Sequence, residues 1–350
     1  MAATVVDSTS DSTVACTMFR AVLAGAGILA SLGGCTKEDP GPPLTPITIT
    51  KANAVMVASE ALVTNANLGS TGLVGSPAAG AKAAVAALPA LQRAAVSQLR
   101  RAAPAEPMID ACGISGTVTT VAADSAAGTT RVTFENCVET AGISMNGTLK
   151  YTGLALTPSD SALALSATVD SDVTITQGEL GYAETGGYTL DFTLMSTPTT
   201  GLSSEVFDLH GDKLDISVTM GGAPLERIML AGFDVHFEVD LTAAPERTTS
   251  TISYTVASSR LAGEITVATT APLAQLTEPA TPRRFPYTGR LTISGISGTR
   301  LQVTVLGDES YTPPASQAQV ELQLDMGFGS FGAPIWASWD ALSATATATE

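Results

Sequence analysis

Only two of the 350 residues are histidines, and both stand in the same kind of run. In EVFDLHGD, Asp208, His210 and Asp212 alternate with Phe207, Leu209 and Gly211. In GFDVHFEVDL, Asp234, His236, Glu238 and Asp240 alternate with Phe233, Val235, Phe237, Val239 and Leu241. An imidazole beside carboxylates can exchange protons or hold a divalent ion, because a neutral ring nitrogen and carboxylate oxygens are ligands that zinc accepts. The candidate metal ligands are therefore His210, His236, Asp208, Asp234 and Glu238. Against that stands a plainer chemistry. Residues i, i+2 and i+4 of a strand share one face, so each run also describes a strand that is wet on one side and apolar on the other. Exposed Asp–His pairs on such strands contribute little to stability.

What positions these side chains is strand phase. Phe207 and Leu209 are apolar odd positions, whereas Leu214, Ile216, Val218 and Met220 are even, so the phase changes near Gly211, where a β-bulge would accommodate it. With GGAP (221–224) turning one run onto the next, a bulge there predicts Asp208 across from His236 and His210 across from Asp234. Apolar–polar alternation with frequent turn signals extends from Cys112 onward and predicts antiparallel sheet. Asn146-Gly147 and Gly186-Gly187 read as hairpin turns, because both need positive φ. Asn146-Gly147-Thr148 is also a glycosylation sequon, and the turn is the stronger reading.

Upstream the period is helical. KANAVMVASEALVTNAN (51–67) spaces Val55, Met56, Ser59, Leu62 and Val63 for one amphipathic helix. An Ala-rich stretch from about 81 to 102, with Val85, Leu88, Leu91, Val96 and Leu99, predicts a second; Arg93, Arg100 and Arg101 fall near its negative end, and Pro89 would kink it. The expected fold is α+β and mainly β: an N-terminal helical pair packed on a large antiparallel β-sheet, plus a small C-terminal β module. The expected divisions are a helical segment over 47–104, the β domain over 105–272, a proline-bearing linker over 273–286 and the C-terminal module over 287–350.

Other chemistry finds little footing. GFGSFG (327–332) matches a G-x-G-x-x-G spelling, but Pro334 follows and no βαβ unit surrounds it, so it reads as a loop. There is no G-x-S-x-G elbow, H-E-x-x-H, EF-hand loop or P-loop, so no catalysis and no cofactor are expected. Seventeen scattered basic residues within a formal charge of −16 argue against nucleic acid as a partner.

Near the start, Arg20 precedes the apolar run AVLAGAGILASLG, which is too short to span a bilayer and suits a signal h-region. The run ends in Leu32, Gly33, Gly34 and Cys35, and this tetrapeptide resembles the lipobox of bacterial lipoproteins. The resemblance implies cleavage before Cys35, a diacylglyceryl group on its thiol and an acyl chain such as palmitate on its new amino terminus, and a signal peptide over 1–34. Residues 1–17 fit no signal pattern, so the expected start is Met18 and Cys16 would not be made. Thr36, where Asp would signal inner-membrane retention in the enteric members, implies the outer membrane. TKEDPGPPLTP then reads as a tether, with 35–46 linking lipid to body. Cys112 and Cys137 are the pair that remains, and a disulfide is expected, with two buried free thiols as the alternative. The segments YTGRLTISGISGTRLQVTVLG, AQVELQLDM and PIWASWDAL, with the 51–67 helix, resemble uncharacterised proteobacterial lipoproteins, which implies a location and no activity. The expectation is a lipid-anchored envelope protein, facing the periplasm or the cell surface, with a structural or binding role towards an apolar ligand or an envelope protein. The alternatives are a carrier of lipid or other apolar ligand in a pocket lined by Phe and Leu, and divalent-metal binding through His210 and His236.

Overall fold

The computed structural model describes residues 45–69 and 107–345, apart from 125–127, 141–142, 160, 198–200, 245, 278–285 and 308–315. The signal region, Cys35, positions 36–44 of the tether and the helix expected over 81–102 lie outside the described residues.

Among the described residues the period-two pattern becomes fourteen strands. The first seven are β1 (Met108–Ala111), β2 (Ser115–Asp124), β3 (Thr129–Thr140), β4 (Ile143–Pro158), β5 (Ala162–Gln177), β6 (Leu180–Thr197) and β7 (Gly201–Met220). The rest are β8 (Ala223–Asp240), β9 (Glu246–Ser258), β10 (Gly263–Thr277), β11 (Thr288–Ser294), β12 (Thr299–Val305), β13 (Ala318–Met326) and β14 (Ile335–Ser338). They form one antiparallel sheet in chain order, each strand beside the next. The stretch expected as a separate C-terminal module is thus the last four strands of that sheet, joined to the rest through β10 and β11.

Two expected turns are not turns. Asn146-Gly147 lies inside β4 and Gly186-Gly187 inside β6. Gly147 and Gly186 do have positive φ, +111° and +148°, but they use it to bring backbones together. A side chain at Gly147 would run into the Asp172 carbonyl of β5, and one at Gly186 would lie 2.6 Å from the Lys213 carbonyl of β7. Both are glycine kinks that let a long strand bend within the sheet. Asn146 instead donates shape to its neighbour: its Oδ1 accepts the Asn136 N–H at 2.7 Å, bracing the irregular pairing between Phe134 and Cys137 of β3. The actual hairpin turns include Gly178-Glu179 and, as expected, Gly221-Gly222.

α1 (Ala54–Gly69) forms where the first helix was expected. Asn53 organises its start: its Oδ1 accepts the Thr50 N–H at 2.7 Å and its Nδ2 donates to the Thr48 carbonyl. An amphipathic helix packed on the sheet was expected, and its burial extends beyond one face: Ala54, Val57, Ala58, Ser59, Glu60, Ala61, Leu62 and Thr64 are all buried, and Val55 and Met56 are half-buried. A helix enclosed on most sides needs small residues where the sheet comes close, and the alanines supply them. Tyr254 of β9 donates its hydroxyl to the Ala61 carbonyl at 2.7 Å, and Ser59 donates to the Leu342 carbonyl of α2 (Trp339–Thr345) at 2.7 Å. Ser338 caps α2 by accepting the Ala341 N–H.

The expected disulfide is present: Cys112, just after β1, joins Cys137 of β3, with both cysteines buried.

Candidate functional site

The histidine strands are β7 and β8. Their register places Asp208 opposite His236 and His210 opposite Asp234, as phase and turn had predicted. His236 Nδ1 lies 2.7 Å from Asp208 Oδ1, and His210 Nδ1 lies 3.1 Å from Asp234 Oδ1. All four side chains keep about a third or more of their surface in solvent. The polar rows continue sideways. Thr168, Thr189, His210, Asp234 and Ser253 stand in line across β5 to β9, and Ser166, Asp191, Asp208, His236 and Thr251 form the next row.

The bulge is more elaborate than expected. Both β7 and β8 change phase together: buried Phe207 and Leu209 give way to Leu214 and Ile216, while Ile228 and Leu230 give way to Phe233 and Val235. Pairing between the two strands therefore keeps step through Gly211, and the shifts appear against β6, between Gly187 and Thr189, and against β9, between Ala231 and Asp234. The irregularity that sets the Asp–His register lies beside the turn, where Leu225 is the extra residue between Val218–Glu226 and Thr219–Pro224. Gly211 thus marks the phase change without the expected bulge between β7 and β8, and Leu225 carries the register of the pair.

At the paired phase change Gly211 faces Phe233, and the Phe233 ring takes the space that a side chain on Gly211 would occupy. This is an aromatic neighbour covering a glycine across strands. Phe233 in turn meets Tyr188 edge-on at 6.5 Å. Beside these strands lies a groove of about 520 Å³, lined by Thr168, Gly187, Thr189, His210, Asp212 and Gly232, with Gly211, Tyr188 and Phe233 completing it. The groove falls within the usual size range of small-ligand sites, roughly 300–1,000 Å³.

Of the expected metal ligands, the structure brings Asp208 to His236 and Asp234 to His210, as two separate pairs. Glu238 is exposed opposite Val206 and Thr249. Among the described residues no group of three or more His, Cys, Asp or Glu side chains could hold a metal ion.

Two buried carboxylate clusters had no expectation attached. Glu60 of α1 lies 2.7 Å from Arg260 Nη2, and Glu226 of β8 lies 3.7 Å from Arg260 Nε. Burial pushes both carboxyls up, with the Arg260 guanidinium opposing; for Glu226 the neighbouring Glu60 charge adds to the rise, to about 8. Inside the sheet, Tyr182 donates its hydroxyl to Glu184 Oε2 at 2.8 Å. Burial raises Glu184 as well, with the Ser171 and Tyr182 hydroxyls opposing. A signal for both was in the sequence: Glu184 occupies the same strand phase as Tyr182, Tyr188 and Leu190, and Glu60 interrupts an Ala-Val helix.

No family model matches the chain, and no curated protein matches it.

Proposed function

We propose that the chain is a lipid-anchored protein of the outer membrane, held through Cys35, whose sheet has a binding role without catalysis. The groove at Gly187, Gly211 and Gly232 is the observation that carries the binding role. Its rim offers the hydroxyls of Thr168 and Thr189, the His210 imidazole and the Asp212 carboxylate, and glycine main chain lies open between them. These groups donate and accept hydrogen bonds, and no Lys or Arg lines the groove to balance an anion, so a neutral polyhydroxylated ligand of the oligosaccharide class fits it best. A carrier of apolar ligands has less support, because Phe233 is the one Phe that lines this groove and no Leu does, while Tyr182, Phe207, Phe237 and Tyr254 fill interior positions.

Titration with neutral cello- and chito-oligosaccharides, followed by NMR of the His210 ring and the Thr189 amide, tests the site. Saturable shifts are expected, and Gly187→Val should abolish them; the added side chain points towards Asp170 Oδ1, 3.3 Å away, and stays out of the core. Absent shifts, or shifts that survive Gly187→Val, would refute the site. Anchoring is tested apart from it: Cys35→Ala should leave an unprocessed, unacylated precursor, and an unchanged mass with unchanged membrane attachment would sink that half.

A further inference from the structure

The end of the sheet that receives the N-terminal segment also carries an exposed aromatic loop. Gly327–Gly332 leads from β13 towards β14, and Phe328 at its tip is 87% exposed. Met326 and Phe331 flank it, both exposed, and exposed Ile296 lies in the neighbouring turn between β11 and β12. The two connections touch: Met326 pairs with Thr299, and a side chain on Gly327 would meet the Ser297 carbonyl at 2.6 Å. From Met326 to Ile335 the chain has no charged residue.

The loop is held in place despite its glycines. Asp325, buried at the end of β13, accepts the N–H groups of Gly327, Phe328 and Gly329 on Oδ1 at 2.9, 2.9 and 3.1 Å. Its Oδ2 takes Arg300 Nη2 at 2.6 Å, and the Arg300 guanidinium stands 5.5 Å from the centre of the Phe331 ring. A buried carboxylate is thus spent on keeping an apolar side chain in water. Solitary exposed apolar residues need no explanation, but a braced, uncharged group of four does.

Where the chain enters the fold suggests what covers the loop. Ile47 donates its N–H to the Glu264 carbonyl at 3.1 Å and accepts the Ile296 N–H at 2.8 Å; Ile49 donates to Thr299 Oγ1. Thr45, whose carbonyl accepts the Glu264 N–H at 3.0 Å, lies at the start of β10, two residues before the contact with the β11–β12 turn. Ten residue-to-residue steps link it to Cys35, and a chain of that length reaches at most about 35 Å.

We infer that the β11–β12 turn and the β13–β14 loop form a membrane-facing edge, with Phe328 seated at the boundary between headgroups and acyl chains. The inference rests on the proposed anchoring at Cys35, which would hold this end of the sheet near lipid. Phe, Met and Ile bury apolar area there, and Arg300 at the rim meets lipid phosphate. The rest of this acidic molecule gains nothing from an anionic surface, so attachment through the uncharged loop 326–335 leaves the polar face of β5–β9 in water.

The test uses the full-length protein from envelope membranes, reconstituted into phosphatidylcholine vesicles that carry brominated acyl chains. Phe328→Trp places a fluorophore at the tip, and Met195→Trp places one at an exposed site near the opposite end of the sheet. Each signal is read as the difference from the parent, which contains Trp336 and Trp339. Bromine quenching should be at least about threefold greater at 328 than at 195, as expected for a side chain lying ~5–10 Å inside the interface. Equal quenching at the two sites would overturn the inference and leave the loop to a protein partner. Mass spectrometry of the same sample reads the Cys35 acyl chains separately. Acylated protein with equal quenching ends the docking idea alone, and unacylated protein ends the anchoring idea whatever the quenching shows.

Discussion

Gly211 can have only hydrogen as a side chain because Phe233 already fills the space beside it. Gly211→Val should therefore destabilise the fold by about 1–3 kcal/mol through overpacking. Phe233→Ala should also destabilise it on its own, but the double variant should lose less than the sum, because removing the ring makes room for the new side chain. Urea midpoints of the four proteins measure this coupling, and strict additivity would mean that the ring does not depend on the glycine. Some of this site was legible. Asp208 and His236 share a row because apolar phase restricts which faces can be buried, and a one-residue slip would expose Phe207 and Phe237. The sheet-wide consequence was not legible. That β8 changes phase along with β7 depends on pairing with β6 and β9, and neither run contains that information.

At the scale of elements, α1 is tied to the sheet through Glu60, Arg260 and Glu226, and this contact should make stability depend on pH. Folded Glu226 keeps its proton up to about pH 8, against an ordinary value of 4.5, so between these values the folded chain binds more protons than the unfolded one. Stability from this group is present below that window and is lost as pH rises through it, by an amount on the order of 1–3 kcal/mol. Glu226→Gln should flatten the fall, and urea unfolding at pH 5 and pH 9 compares the slopes. An unchanged slope in the variant would show that Glu226 is not the group responsible. The helix itself was legible from its spacing, but its enclosure was not, since periodicity within a helix does not report how far a sheet wraps around it.

For the whole molecule, a fourteen-stranded meander leaves β1 and β14 at the ends of its pairing order, and both are only four residues long. Short edge strands limit the length of backbone open to pairing with another chain. The Cys112–Cys137 bridge ties the β1 edge to β3, past β2. For a closed loop of this length, the chain-entropy model gives about 3.5 kcal/mol. Reduction should cost roughly 2–4 kcal/mol, and hydrogen exchange should quicken first in β1–β3 while β6–β8 stay protected. Uniform loss of protection across the sheet would mean that the bridge supports the whole fold rather than one edge.

By itself the sequence determined the strand content, the first helix, the two-glycine turn at 221–222, the cysteine pair and the faces of the histidine strands. Each of these follows from local chemistry: a period of two or 3.6, a turn that needs positive φ, or a pair of thiols with no other partner among the expected residues. Only the tertiary structure decided that Gly147 and Gly186 bend strands instead of ending them, that the last four strands extend one sheet, and that Glu60, Glu226 and Arg260 meet. The physical reason is the same in each case. A glycine with positive φ serves a turn or a kink equally well, and an outward or inward carboxylate has the same spelling, so the choice falls to backbones and side chains far away in the chain.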